Sequence, residues 1–145
     1  MNISKTVLIT GATGLIGGHL VKALQSAGYS YIALTTNPAS ASQKLPGAKS
    51  IVGVNDYQSL KDENIFAVIN LAGANLGEKR WTDKNKKMFY DSRIDITGKL
   101  VHLMELMPQK PEVLVSASGV DYYGDTGSAD MYEDAPPADT FLGKL

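Results

Sequence analysis

Residues 6–24 read TVLITGATGLIGGHLVKAL, and they set the frame for the whole chain. The apolar run Val7, Leu8 and Ile9 suits a strand buried on both faces of a parallel sheet. Gly11, Gly14 and Gly17 follow at three-residue spacing. Apolar residues then recur at Ile16, Leu20, Ala23, Leu24 and Ala27, the stripe of an amphipathic helix. Strand, glycine turn and helix in that order are the context in which a dinucleotide fingerprint acquires meaning.

Each glycine has its own physical task. At Gly11 the chain must turn sharply off the strand end, where a Cβ is often forbidden. Gly14 lets backbone N–H groups approach a pyrophosphate, and Gly17 lets the helix pack closely on the strand. The unpaired N–H groups and positive dipole end of the helix then face the phosphates.

The chain has 145 residues, 43% hydrophobic and 20% charged, enough for one domain with a real core. No apolar run approaches the ~20 residues of a membrane span, and the first ten residues are too short and strand-like for a signal peptide. Asn2-Ile3-Ser4 matches a glycosylation acceptor, which without an export signal reads as coincidence. The absence of cysteine excludes disulfides, thiolate metal sites and a cysteine nucleophile. A cytoplasmic location is the expectation.

The net charge of −1 conceals an asymmetry. No Asp or Glu precedes Asp56, whereas Lys5, Lys22, Lys44 and Lys49 do; from Asp121 onward six acids stand against Lys144 alone. The acid-free first part suits a phosphate-bearing ligand. Four scattered lysines form no basic stripe, so nucleic acid is not the expected partner.

Further along, residues 31–35 (YIALT) read as a second strand, residues 39–47 as loop or weak helix, and residues 50–54 as a third strand. A brief helix near Leu60 has Asp56 or Asn55 available as its cap. Residues 66–71 (FAVINL) form a fourth strand. Thr82 is a candidate N-cap for a long helix from Asp83 to about Met107, with Phe89, Ile96, Leu100, Leu103 and Met107 on one face and Pro108 as its stop. Residues 112–116 give a fifth strand, and the Gly-, Asp- and Pro-rich remainder reads as loop. Alternating strands and helices with such crossovers imply a doubly wound parallel sheet of order 3-2-1-4-5.

The second strand ends in Thr35, Thr36 and Asn37, where an NAD site usually presents an acid to the ribose hydroxyls. A carboxylate would repel a 2′-phosphate; hydroxyls and an amide can donate to it. NADP is therefore favoured over NAD, although no arginine stands there to clamp the phosphate. Arg80-Trp81, on the loop after the fourth strand, reads either as a lid or as a hydrophobic staple before the Thr82 cap. His19 and His102 lack ligand-spaced partners, and no metal site is expected.

Taken together, ITGATGLIGGHL, VINLAGANLGEKRWTDKNKKMFYDSRI, VLVSASGVDYYGD and EDAPPADTFL resemble the epimerase branch of the extended short-chain dehydrogenase/reductases, and more narrowly its "epimerase family" subgroup. The resemblance covers essentially the whole chain. It implies a Rossmann-type α/β fold in which Gly11, Thr13, Gly14, Leu15, Ile16 and Gly17 form the pyrophosphate turn. It places Asn70, Leu71, Ala72 and Gly73 along the cofactor ribose and matches Asp56 loosely to the acid near adenine. Ser118 falls at the family's active-site Ser/Thr, and Tyr123-Gly124 at the Tyr-Gly lining the substrate pocket.

Two departures accompany it. The superfamily's Tyr-x-x-x-Lys has no counterpart, since the aligned region reads Phe141-Leu142-Gly143-Lys144-Leu145; and Arg93 stands where Asn is usual. Tyr122 or Tyr123 is then the available phenol, and it needs a neighbouring cation, for which Arg80 and Arg93 are the candidates, to lower its pKa from ~10. Residues 1–145 accordingly read as an NAD(P)-binding domain without the C-terminal substrate domain. The fifth strand would be left bare, an edge for a homodimer. The expected activity is that of an epimerase- or reductase-type enzyme of unknown small-molecule substrate, or alternatively a non-catalytic NADP(H)-binding or sensing module.

Overall fold

A computed structural model describes residues 5–145; the Asn2-Ile3-Ser4 triplet lies outside the described residues. Five strands form one parallel sheet in the order β3-β2-β1-β4-β5. In chain order they are β1 (Thr6–Thr10), β2 (Ser30–Thr35), β3 (Ser50–Gly53), β4 (Ile65–Asn70) and β5 (Val113–Ser116). The connecting helices are α1 (Leu15–Ser26), α2 (Pro38–Lys44) and α3 (Asp83–Leu106), with short 3-10 turns at Tyr57–Leu60 and Val120–Tyr122.

The apolar opening run behaves as strand geometry demands, alternating between two cores. Val7 and Ile9 join the cluster under α1 and α2 with Val21, Tyr31, Ala33 and Ala41. Leu8 faces the opposite cluster with Leu34, Val68, Ile96, Leu100 and Leu103 beneath α3. Each such side chain withdrawn from water contributes about 1.5–3 kcal/mol, which makes β1 the sheet's anchor.

Helix α3 buries the face expected of it: Phe89, Ile96, Leu100, Leu103 and Met107 are all inaccessible or nearly so. Thr82 caps it, the hydroxyl accepting from Asn85 N at 3.3 Å. Helix α1 differs from its apolar stripe. Its buried residues are Gly17 and Val21, while Ile16 remains 68% exposed. The reason is steric. A Cβ at position 17 would overlap the Gly11 carbonyl and Ala12 backbone, so the glycine face must be the one turned to the sheet.

Residues 38–44 form a true helix where loop or weak helix was expected. Pro38 occupies its first turn and the Asn37 carboxamide oxygen accepts from Ser40 N at 3.0 Å, a cap that sets its start. Asp56 occupies the cap position of the turn at Tyr57–Leu60 but makes no side-chain cap bond. No helix among the described residues is long and apolar enough to cross a membrane.

Candidate functional site

The polar ends of the strands converge on one edge of the sheet. Thr10, Asn70 and Ser116 stand in register across β1, β4 and β5, each closing an apolar run. The Asn70 carboxamide, buried at 5% exposure, ties this row together. Its oxygen accepts from Thr10 Oγ1 at 2.6 Å, and its NH2 donates to Thr97 Oγ1 at 3.2 Å and Ser116 Oγ at 3.3 Å. Ala72 N donates to Thr10 Oγ1 at 3.2 Å. Among the described residues no buried side-chain N or O lacks a partner, as a low-dielectric interior requires.

On one side of this row lies the glycine turn. Gly11 has φ +70°, and a Cβ there would stand 2.7 Å from Leu71 O. Both constraints demand glycine. Gly14 is the N-cap of α1, with no side-chain cap bond and no acid in the first turn of the helix. Thr13, Gly14, Leu15 and Ile16 are exposed, Leu15 at 82%. The N-terminal amides of α1 therefore meet solvent without a side chain in front of them, the cradle that a diphosphate fits. Thr35 ends β2, half-buried; Thr36 and Asn37 follow it, exposed. The Asn37 backbone N–H donates to Thr35 Oγ1 at 3.3 Å.

On the other side, between the ends of β4 and β5 and the middle of α3, lies a cavity of about 410 Å³. Ala72, Gly73, Arg93, Thr97, Ser118 and Tyr122 are among its walls. Leu71 also lines it, and because Leu71 backs directly onto Gly11, turn and cavity share one wall. Ser118 is part of the cavity wall. Tyr123 does not line the cavity; its ring packs edge-on against Tyr122, centroids 5.0 Å apart. Asp56 sits exposed beyond the end of β3.

Thr97 and Thr10 belong to the site without having been singled out from sequence, whereas Arg93 is marked there as a departure from the usual Asn and as a candidate cation for the phenol. The signal for Thr10 was its place at the polar end of an apolar run; Thr97, one helical turn beyond Arg93, carried no comparable mark. Burial holds the Arg93 guanidinium below its ordinary pKa. Trp81 is tied to the loop after β4 and to the C-terminal segment. Its indole N–H donates to Leu76 O at 2.9 Å, and its ring meets Phe141 edge-on at 5.7 Å, clasping the C-terminal segment near the cavity. No group of three or more His, Cys, Asp or Glu comes together among the described residues.

A parallel sheet of order 3-2-1-4-5 with a bare glycine turn at the point where the connections reverse defines a Rossmann-type α/β domain. A family model described as the NAD dependent epimerase/dehydratase family matches residues 7–141, and the chain belongs to that family. The chloroplastic epimerase family protein SDR39U1 homolog of Arabidopsis thaliana is 36% identical over 146 residues, covering 97% of this chain and 42% of the relative. Epimerase family protein YfhF of Bacillus subtilis (strain 168) is 30% identical over 133 residues, covering 92% of this chain and 44% of its own length. The crystal structure of human epimerase family protein SDR39U1 (isoform 2) with NADPH superposes with a TM-score of 0.82 at 28% identity, over 96% of this chain and 45% of that one. MoeE5 in complex with UDP-glucose and NAD gives 0.69 at 27% identity, over 92% and 42%. The chain spans less than half the length of these relatives.

Proposed function

We propose that this chain is the NAD(P)-binding domain of an epimerase/dehydratase-like short-chain oxidoreductase, with NADP preferred over NAD. The observation that carries the reading is the first turn of α1: an uncapped, acid-free helix start set on the tight turn at Gly11. Main-chain amides there grip a diphosphate, and Gly14 keeps the approach clear. Thr35, Thr36 and Asn37 offer donors to a 2′-phosphate where an acid would repel it. Leu71, Ala72 and Gly73 run beside the ribose. The nicotinamide nucleotide, when bound, supplies a hydride donor or acceptor. Ser118 hydrogen-bonds a substrate oxygen in the cavity, and the Tyr122–Tyr123 pair supplies the phenol for proton transfer, Tyr123 being the residue matched to the family's Tyr-Gly. That human SDR39U1 was crystallised with NADPH and MoeE5 with NAD supports a nicotinamide nucleotide of either kind.

A second reading, an NADP(H)-binding or sensing module without turnover, is favoured by one observation. Among the described residues, no Lys or Arg hydrogen-bonds to the Tyr122 or Tyr123 hydroxyl or stands over either ring. A phenol without such a cation is a weak acid at neutral pH. In either reading the exposed β5 pairs with a second copy of the chain.

The test is titration with NADPH and with NADH followed by nicotinamide fluorescence. NADPH binds more tightly, and Gly14→Val abolishes binding of both while leaving the protein folded, because a Cβ at Gly14 meets only Gly11 O at 3.3 Å. Absence of binding to the folded wild type rejects both readings. Substrate-dependent NADPH oxidation rejects the second alone.

A further inference from the structure

Arg93 occupies the cavity wall in an arrangement that the cofactor reading leaves unexplained. Its Nη1 donates to Phe89 O at 3.1 Å and Ala74 O at 3.3 Å. The ideal Cβ position of Gly73 lies 2.9 Å from the Arg93 Cζ, so the loop after β4 lies directly against the guanidinium. No carboxylate stands within ion-pairing distance of Arg93 among the described residues. Asp121 is the single acid of the cavity wall and makes no such pair. A guanidinium keeps its proton at any ordinary pH, and a partly desolvated cation without a counter-ion is costly.

The geometry adds a direction to the charge. With Nη1 committed to two backbone carbonyls, the Nε–Nη2 edge keeps its donors, and no protein acceptor takes them among the described residues. Two parallel N–H groups on that edge match the two oxygens of a carboxylate or phosphate. Around them the wall supplies hydroxyls, Thr97, Ser116 and Ser118, which suit an oxyanion and its polar substituents. The cavity, about 410 Å³, is at the small end for ligand sites.

We propose that the cavity takes a small substrate bearing a carboxylate or phosphate, and that the Nε–Nη2 edge of Arg93 binds this anionic group bidentately. Arg93 is then the residue that sets substrate class. The proposal rests on the reading of the chain as an NAD(P)-binding domain only in calling that ligand a substrate. Anion binding itself is tested separately from nucleotide binding.

Trp81 is the sole tryptophan and bonds to Leu76, itself in the cavity wall, so its fluorescence reports on occupancy. The folded protein, with and without saturating NADP+, is titrated with sodium malonate or inorganic phosphate at constant ionic strength, with malonamide as the neutral control. Wild type responds saturably to at least one of the two anions and not to malonamide. Response to malonate alone identifies a carboxylate, and response to phosphate alone a phosphoryl group. Arg93→Gln raises the half-saturating concentration at least about ten-fold, the loss expected for hydrogen bonds to a charged group. Arg93→Lys, which keeps the charge and loses the fork, recovers only part of it.

Circular dichroism and a cooperative thermal melt of Arg93→Gln establish that it is folded before its titration is read. If Arg93→Gln does not fold, the comparison of wild type with Arg93→Lys decides. No saturable anion response in wild type, equal response to malonamide, or half-saturation in Arg93→Lys and Arg93→Gln matching wild type overturns the proposal. Failure of NADPH to bind while malonate or phosphate still does rejects the cofactor reading and leaves Arg93 as the anion site.

Discussion

Thr10 and Asn70 face each other across the β1–β4 pairing, the threonine hydroxyl donating to the asparagine carboxamide oxygen at 2.6 Å in a setting where neither residue is more than 5% exposed. Sixty residues apart in sequence, they fix the relative height of the strand that leads into the glycine turn and the strand that walls the cavity. Removing one partner strands the others. Asn70→Ala should cost about 3 kcal/mol and Thr10→Val about 1.5 kcal/mol. The double variant should cost about 1 kcal/mol less than the sum, read from urea midpoints. Strict additivity would mean that the two side chains do not act together.

Gly17 and Gly18 are neighbours in α1 with opposite demands. A methyl at Gly17 would overlap the backbone of Gly11 and Ala12, whereas at Gly18 nothing lies within 4 Å. Gly17→Ala should destabilise by about 3 kcal/mol. Gly18→Ala should be neutral or stabilise by up to about 1 kcal/mol, the helix preference for alanine. Thermal melts of the pair check this, and similar midpoints for both variants would contradict the packing described.

Tyr31 is fully buried, its hydroxyl donating to Pro46 O at 3.4 Å, and burial raises its pKa above the ordinary 10.0. The folded chain thus holds this proton more tightly than the unfolded chain. The contribution is complete below pH 10 and is lost as pH climbs through the raised folded value. Urea midpoints should fall as pH rises above 10, and Tyr31→Phe should flatten that fall. An unchanged slope in the variant would assign the loss to other groups.

Strand β5 shows Val113 at 44%, Leu114 at 40% and Val115 at 50% exposure, with one edge paired only to β4. Unpaired N–H and C=O groups beside apolar side chains invite another strand. Sedimentation velocity at micromolar protein should show a dimer, and Val115→Lys should return it to monomer. A wild type that sediments as a single monomeric species would refute the pairing.

Much of this was legible in the primary structure, for a physical reason: the informative features were local. A strand buried on both faces must be continuously apolar, so Val7 to Ile9 and residues 66–69 announced β1 and β4. A turn needing φ > 0 needs glycine, so Gly11 announced the bend. The Thr82 cap and the stripe from Phe89 to Met107 gave α3. What escaped involved groups far apart in the chain. The apolar stripe of α1 pointed to Ile16, because nothing in the sequence says that Gly17 must lie against Gly11.

The sequence alone determined the order of strands and helices, the parallel sheet and the place of the glycine turn, since periodicity and glycine chemistry act within a few residues. Only the tertiary structure decided that Thr10, Asn70, Thr97 and Ser116 share one hydrogen-bonded row, that Tyr122 rather than Tyr123 lines the cavity, and that Arg93 stands in its wall with no ion-pair partner among the described residues. Those relationships depend on the register between strands and the rotation of α3 over the sheet, which are fixed by packing across the whole core.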